Sequence, residues 1–224
     1  SAELDAQRQV SQVEDLINRG VDAIIILPHD QDVIVSAIRR ANRENIPVIT
    51  IDRRAGAGGE VLYHVGAGPY LDGRDAAQFM VYTALATGKK LTVLELVGSL
   101  NDDNAIERQR GFLEIVNQWP DDVIEVVASV PTEWQPERAL DGTMDALQSR
   151  PDINAIFTPS DFLGPAIVSA LEINDKLHPA GHPDHVIIVG IDGNDFAWEN
   201  IGKGYYTATI ATLADELGRK AAEA

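Results

Sequence analysis

Charged or hydroxyl side chains directly follow three separate apolar runs of the sequence. Asp52 and Arg53 follow one run, Ser160 and Asp161 follow a second, and Asp192 follows a third. A carboxylate accepts hydrogen bonds from two adjacent hydroxyl groups, and a guanidinium donates two hydrogen bonds in a fixed plane. These residue types therefore favour a small ligand that carries neighbouring hydroxyl groups.

The elements that must position these residues alternate between apolar runs and helical apolar periods. This pattern predicts an α/β protein with parallel sheets flanked by helices. Eight strands are predicted at residues 21–27, 47–51, 62–65, 91–97, 123–130, 155–158, 185–191 and 207–210. Helices are predicted near residues 10–17, 33–42, 71–87, 104–118, 136–149, 163–174 and 196–202, with a last one from Leu213.

The polar residues lie where the predicted strands end. Ligands of open parallel sheets bind beyond the carboxyl ends of the strands. A closed barrel places its site at the same ends, so both arrangements remain open. The first strand, a continuous apolar run, is expected to be buried on both faces.

Composition excludes several classes of partner and of binding site. The chain has 224 residues, 45% of them apolar, and a formal net charge of −17. That charge excludes nucleic acid and anionic membrane surfaces as partners, because both require clustered Lys and Arg. The chain has no Cys, so disulfides and thiolate metal sites are excluded. No apolar run approaches the roughly 18 residues of a membrane span.

Five segments carry a resemblance to a known family. Residues 46–53 resemble the ribose-type periplasmic sugar-binding proteins, which supply solutes to ABC importers. Residues 20–28, 108–112, 189–193 and 208–211 resemble further signatures of that family, in the family's order and spacing. Each segment alone is weak evidence, but together they make the resemblance specific.

The resemblance implies the type I periplasmic binding protein fold, with two doubly wound parallel-sheet lobes. One lobe is expected to contain residues 1–67 and 213–224, and the other residues 68–212. The family opens with a strand–helix–strand unit and finishes with a further strand, and neither has a counterpart in this sequence. The first lobe is therefore expected to be incomplete, with a missing N-terminal segment or a complementing chain.

The resemblance also implies a function. We expect a small neutral sugar or polyol to bind in the crevice between the lobes, in the periplasm, for delivery to a membrane ABC permease. Hinge closure would bring the two lobes onto the ligand, and no catalytic residue is expected. An effector domain of a lactose-repressor-type regulator, or a sensory receptor, shares the fold and remains the alternative. An enzyme is a distant third.

Residues of the expected site come from both lobes by resemblance. Asp52 and Arg53 would hold vicinal hydroxyls from the first lobe, and Arg108 would donate from the second. Trp134 would offer an aromatic face to sugar C–H groups, and Asp192 would accept from another hydroxyl. The remaining candidates are Ser160, Asp161 and Thr212. Ser160 and Thr212 stand where the family has ligand-binding amides, and Gly68-Pro69 replaces an Asp-Asn pair, so ribose itself is not inferred.

Most of the site residues have a structural alternative. For Asp52 and Arg53 it is a surface loop with an incidental ion pair. Arg108 is alternatively a surface ion pair with Glu107 or Asp103, and Asp192 a helix N-cap. Trp134 is alternatively a core anchor, and Asp161 holds its loop or caps a helix as readily as it touches a ligand. Outside the set, Arg110 is expected to face solvent, and Trp119 and Trp198 to lie in the core.

Two segments resemble other kinds of binding site, a dinucleotide site and a metal site, but neither is predicted to be one. Residues 66–73 follow a strand and open a helix, but Leu71 and Pro69 break the glycine pattern of a dinucleotide site, so no cofactor is expected. His178, His182 and His185 share a Pro- and Gly-rich loop, but the sequence offers no clear carboxylate partner. No metal site is therefore predicted.

Overall fold

A computed structural model describes residues 5–212 and 214–223. The strands are β1 (Ile24–Ile26), β2 (Val48–Ile51), β3 (Tyr63–Val65), β4 (Leu91–Val97), β5 (Ile124–Pro131), β6 (Ala155–Phe157), β7 (Ile187–Asp192) and β8 (Ala208–Ala211). The helices are α1 (Ala6–Asn18), α2 (Val35–Arg43), α3 (Pro69–Thr87), α4 (Asp103–Val116), α5 (Pro136–Ser149), α6 (Gly164–Ile173), α7 (Asp195–Lys203) and α8 (Ala214–Glu223). The predicted alternation of strands and helices is confirmed, with shifts of a few residues at the ends.

The strands form two open, wholly parallel sheets in the described part of the chain. One sheet has the order β1-β2-β3 and the other β5-β4-β6-β7-β8. The barrel left open by the sequence is therefore excluded for these residues, and the doubly wound α/β fold class is confirmed. Two compact units contain the two sheets. Unit 1 comprises residues 1–67, 101–104 and 213–224, and unit 2 comprises residues 68–100 and 105–212.

Unit 1 buries one apolar cluster, which α1, α2 and the small sheet share. Ile24 and Ile26 of β1 belong to this cluster, whereas Ile25 between them is 52% exposed. The expectation of a strand buried on both faces was therefore wrong. The described residues cover only one face of β1, and the strand is also shorter than residues 21–27 because only three residues join the ladder.

Unit 2 buries both faces of its sheet. All seven residues of β4 are buried, and their side chains alternate between two clusters. Leu94 and Leu96 pack with α5, α6 and α7, whereas Leu91 and Val93 pack with α3 and α4. Helices on both faces explain why this strand is mostly apolar, as expected for a central parallel strand, with Thr92 and Glu95 as its two buried polar residues.

Two glycines allow α3 and α4 to approach each other closely. A Cβ atom on Gly73 of α3 would lie 2.0 Å from the Arg108 carbonyl oxygen. A Cβ atom on Gly111 of α4 would lie 2.0 Å from the Tyr70 carbonyl oxygen. The obstructing atoms are backbone, so they cannot move aside as a flexible side chain would. This contact fixes the backbone of Arg108.

Candidate functional site

A buried ion pair lies at the carboxyl end of the unit 2 sheet. Arg108 Nη2 donates to Asp192 Oδ1 at 3.0 Å, and Arg108 Nη1 donates to the Pro159 carbonyl at 2.8 Å. Ser160 Oγ donates to the other Asp192 oxygen at 2.5 Å. The Arg108 side chain is only 7% exposed, whereas that of Asp192 is 32% exposed. The pair therefore presents its carboxylate to solvent and keeps its guanidinium inside.

This geometry removes two structural alternatives. Arg108 pairs with Asp192 and not with Glu107 or Asp103, so it is not a surface ion pair. The N-cap of α7 is Asn194, whose side chain accepts from the Ala197 N–H, so Asp192 is not a helix cap. Neither residue therefore has the purely structural role that was its alternative.

Asp161 has a different role from the one expected of a ligand contact. Its carboxylate is fully buried and accepts from Tyr206 Oη at 2.9 Å and Thr209 Oγ1 at 2.6 Å. The same carboxylate accepts from the backbone N–H groups of Gly193 and Asn194 at 2.8 and 3.3 Å. Burial raises the pKa of Asp161, and these donors oppose that rise. Asp161 thus holds the loop after Asp192, as the structural alternative expected, and its contact with a ligand stays a prediction.

Asp72 of α3 is a further carboxyl group near the Arg108–Asp192 pair, and the two charges of that pair act on its pKa. Burial raises the pKa of Asp72 to about 6; the nearby Arg108 lowers it, whereas Asp192 and Asp75 raise it. Its Oδ2 atom is buried and has no hydrogen-bond partner within the described residues. The sequence analysis missed Asp72, because it falls in the helix opening that was weighed only as a dinucleotide motif.

Unit 1 carries its own polar cluster at the carboxyl end of β2. Asp52 Oδ1 accepts from Asn104 Nδ2 at 3.0 Å, and Arg53 Nε lies 2.7 Å from Asp102 Oδ2. Asp102 also accepts from the Asn104 N–H at 2.9 Å, in the manner of a helix N-cap. Arg54 beside them is exposed and lies 3.8 Å from Asp103. Asp52 and Arg53 are therefore fixed side chains and not an incidental surface pair.

His64 lies behind this cluster on β3. Its Nδ1 is 2.9 Å from Thr50 Oγ1. Burial lowers the pKa of His64, and the positive charge of Arg54 lowers it further, against the opposing effects of Asp103 and Asp52. A neutral imidazole is favoured, which both donates and accepts.

Backbone strain coincides with the strand ends. Six non-glycine residues of the described part of the chain have positive φ. Asp52 directly follows β2 and Asp192 ends β7, with φ of 63° and 113°. Glu133 and Trp134 lie two and three residues after β5, with φ of 51° and 57°. Such conformations are costly and concentrate at binding and catalytic sites, where the surrounding structure enforces them. The two candidate carboxylates are thus held in unusual backbone conformations.

The other residues named from the sequence differ in burial and in their contacts. Trp134 is 8% exposed and packs in the core cluster of unit 2, with its ring against Gly98. The Thr212 N–H donates to the Asp192 carbonyl at 3.1 Å. Trp198, expected in the core, is 57% exposed and donates from Nε1 to the Gly193 carbonyl, because it lies on the outward face of α7.

The whole chain matches one protein family. Residues 1–224 match the family described as periplasmic binding protein domain. The chain belongs to this family. The ribose import binding protein of Escherichia coli strain K12 is 34% identical over 224 residues, which cover 98% of this chain and 71% of that protein. The ribose import binding protein of Bacillus subtilis strain 168 is 33% identical, over 100% of this chain and 68% of that protein.

A solved structure agrees with this assignment. An ABC transporter periplasmic solute-binding protein of Actinobacillus succinogenes 130z, with bound D-allose, aligns with a TM-score of 0.85 and 32% identity. The alignment covers 97% of this chain and 75% of that one. The resemblance stated from the sequence is thereby confirmed. Periplasmic binding proteins of this family bind their solutes without transforming them, so this chain is not an enzyme.

Sequence reasoning named both members of the Arg108–Asp192 pair of this periplasmic binding protein, but only Arg53 of the Arg53–Asp102 pair. Asp102 and Asn104 were absent from the expected set, although both are buried polar residues. The available signal was the run Asn-Asp-Asp-Asn at residues 101–104, directly before a helical pattern. Among the helices of the described residues, none is long and apolar enough to cross a membrane.

Proposed function

We propose that this protein captures a small neutral sugar, a pentose or a hexose, for an ABC importer. One observation carries the proposal: a partly exposed Asp192 carboxylate is fixed at a strand end by the buried Arg108 and by Ser160. A fixed carboxylate accepts hydrogen bonds from sugar hydroxyls without the entropy cost of ordering the side chain. The family supports transport over the regulator and receptor alternatives, because the relatives reported above are import binding proteins.

We further propose that the two compact units are the two lobes and that the ligand is held between them. Asp52 and Arg53 would contribute from unit 1, and Arg108, Ser160 and Asp192 from unit 2. Thr212 and Trp134 remain candidates by resemblance alone. A ligand that contacts both lobes favours a closed state over an open one, which is the energetic requirement for hinge closure.

The sugar is the least defined part of the proposal. The relatives named above include proteins for ribose and one with bound D-allose, a pentose and a hexose. Ser160 and Thr212 have shorter side chains than the amides of the family pattern, which favours a larger or differently shaped pocket. A thermal-shift screen of pentoses, hexoses and polyols, followed by calorimetry on the best ligand, would identify the solute.

Substitution of Asp52 tests the site. Asp52→Ala is expected to weaken binding of the identified sugar about tenfold to a hundredfold, since one charge-assisted hydrogen bond contributes roughly 1.5–3 kcal/mol. Asp22→Ala, at an exposed Asp of the same unit, is the matched control and should leave affinity unchanged. Unchanged affinity in Asp52→Ala, measured by calorimetry, would refute the assignment.

Location and partners are part of the same proposal. We propose that the protein works outside the cytoplasmic membrane, in the periplasm, and delivers its sugar to a membrane permease. Cell fractionation tests the location, and uptake of the labelled sugar by cells with and without the gene tests the delivery. Uptake that does not depend on the gene would contradict the transport role.

The exposed side of the unit 1 sheet supports one more proposal. Ile25 and Tyr63 on the strands are 52% and 54% exposed, and Leu27 and Leu62 beside them are 45% and 56% exposed. We propose that further polypeptide covers these apolar side chains. A stable monomer of these 224 residues that binds sugar, seen by size exclusion and calorimetry, would argue against it.

A further inference from the structure

The loop between α6 and β7 carries three of the five His residues of the chain. In the structure, one ligand atom from each of His178, His182 and Asp184 lies within 4.8 Å of the other two. The imidazole rings of His178 and His182 stack, with centroids 4.2 Å apart. The carboxylate that the sequence did not reveal is therefore Asp184, which turns back toward the two imidazoles.

The third His of this loop supports the cluster without joining it. His185 Nδ1 lies 2.7 Å from the His178 carbonyl, and its Nε2 lies 3.3 Å from Thr207 Oγ1. Both of its ring nitrogens are thus engaged. The His178 ring and the Asp184 carboxylate, in contrast, make no hydrogen bond or ion pair within the described residues. His182 Nδ1 accepts a hydrogen bond of 3.2 Å from the Asp184 N–H.

The loop is held in place from several sides. The Ala180 N–H donates to the Gly204 carbonyl at 2.8 Å, and Lys89 Nζ donates to the Pro183 carbonyl at 3.3 Å. The His185 N–H donates to the His182 carbonyl at 3.1 Å. Pro179 and Pro183 restrict the backbone on both sides of His182. A ligand therefore meets side chains on an ordered loop and does not have to order the chain first.

We propose that His178, His182 and Asp184 bind a first-row divalent metal ion, with Zn²⁺ as the best match. Two imidazoles and one carboxylate are a common three-ligand set for Zn²⁺, with a fourth position left for water. Mg²⁺ and Ca²⁺ prefer sites made of oxygen ligands, so they fit this set poorly. A cavity of about 780 Å³ is lined by all three residues and leaves room for that water.

The site is separate from the proposed sugar site. His185 precedes the first residue of β7, and Asp192 is its last, so the two sites lie at opposite ends of one strand. The net charge of −17 favours accumulation of cations around the protein. A metal bound here would cross-link the loop between α6 and β7 and stabilise unit 2 against unfolding.

Calorimetric titration of the full chain with Zn²⁺, after removal of any polyhistidine tag, tests the proposal. We expect one Zn²⁺ per chain and no comparable binding of Mg²⁺. His178→Gln and Asp184→Asn should each weaken Zn²⁺ binding about tenfold or more, since even indirect partners of a metal contribute that much. His29→Gln and Asp175→Asn, a His and an exposed Asp outside the cluster, are the matched controls.

Substitution with Co²⁺ gives an independent readout, because tetrahedral ligation produces visible absorption bands. These bands are expected in the wild type and both controls and should be lost in Asp184→Asn, an exposed position where folding is retained. Absence of Zn²⁺ binding in the wild type would overturn the proposal. So would equal affinity in the ligand variants, or equal binding of Mg²⁺ at the same residues.

Discussion

Each compact unit carries an Arg–Asp pair at the carboxyl end of its parallel sheet, and the two pairs are buried in opposite senses. In unit 1 the Asp102 side chain is fully buried and Arg53 is 19% exposed. In unit 2 Arg108 is 7% exposed and Asp192 is 32% exposed. Unit 1 therefore offers a donor to its surroundings, and unit 2 offers an acceptor.

The difference shows how one ion pair can both stabilise a fold and present a binding group. The buried member is a counter-charge that fixes the exposed member, and the exposed member remains available for hydrogen bonds. A sugar hydroxyl both donates and accepts, so the exposed Arg53 donor and the exposed Asp192 acceptor each suit the class of ligand that we propose. The predictions below test this division of roles.

The largest effect is expected from removal of the exposed member. Asp192→Ala or Arg53→Ala leaves a buried charge without its partner, which should lower the free energy of unfolding by about 3 kcal/mol. Arg108→Met removes the buried charge itself and should lower the free energy of unfolding by a smaller amount. Chemical denaturation of the three variants gives this ranking, and a larger loss in Arg108→Met would contradict the division of roles.

Neighbouring exposed pairs provide the controls. Arg110 pairs with Glu107, and Arg54 lies near Asp103, with both Arg side chains more than 60% exposed. Arg110→Ala and Asp103→Ala should each change stability by less than about 1 kcal/mol, because surface pairs gain little in high dielectric.

An intermediate effect is expected at the helix contact that fixes Arg108. Gly73→Ala places a Cβ atom 2.0 Å from the Arg108 carbonyl oxygen, so the two helices must separate. Such overpacking typically costs about 1–3 kcal/mol, and sugar affinity should fall as Arg108 moves. Thermal unfolding and calorimetry measure the two effects.

Gly202→Ala is the matched control for Gly73→Ala. It is also a helical glycine, but its Cβ atom would meet nothing within 4 Å. This change should be neutral or stabilise the protein by about 0.5–1 kcal/mol, because Ala loses less backbone entropy in a helix. A destabilising Gly202→Ala, or a neutral Gly73→Ala, would show that close helix approach does not position Arg108.

The smallest effect concerns Asp72, whose carboxyl lies near the unit 2 pair. Burial raises its pKa from the ordinary value of 3.8 to about 6, so the folded protein holds this proton more tightly than the unfolded chain. The contribution of Asp72 to stability is therefore greatest at low pH and is lost as the pH rises from about 4 to about 6. Because the carboxyl is only half-buried, the loss should be about 1 kcal/mol.

Asp72→Asn should remove the fall in stability that accompanies a rise in pH from about 4 to about 6. The variant is expected to be more stable than the wild type at pH 7.5, with no such gain at pH 4. Asp141→Asn, at an exposed residue of α5 that does not act on Asp72, serves as the control. Parallel stability curves for wild type and Asp72→Asn between pH 4 and 7.5 would show that burial does not perturb this group.

Much of the fold was predictable from residues that are neighbours in the chain. The five apolar residues of β4 predicted a strand at residues 91–97, and the helical periods predicted α5 at its observed residues, Pro136–Ser149. The first strand was predicted less well. Its apolar run was expected to be covered on both faces, but Ile25 is half-exposed, and coverage depends on elements far away in the chain.

The candidate site was predictable in its residue types but not in its contacts. Arg108 and Asp192 were both named from the sequence, yet their ion pair joins positions 84 residues apart. The burial of Asp161 was hidden in the same way, because its partners Tyr206 and Thr209 lie 45 and 48 residues away in the chain. Trp198 was misplaced because an aromatic residue inside a helical pattern does not reveal which face of the helix is covered.

The sequence by itself determined the α/β alternation, the polar residues at the strand ends and the family, because these depend on local order and spacing. Only the tertiary structure decided which member of each Arg–Asp pair is buried, and which carboxylate approaches His178 and His182. Those outcomes depend on the distances between segments remote in the chain and on the desolvation that packing imposes, and no local pattern encodes either quantity.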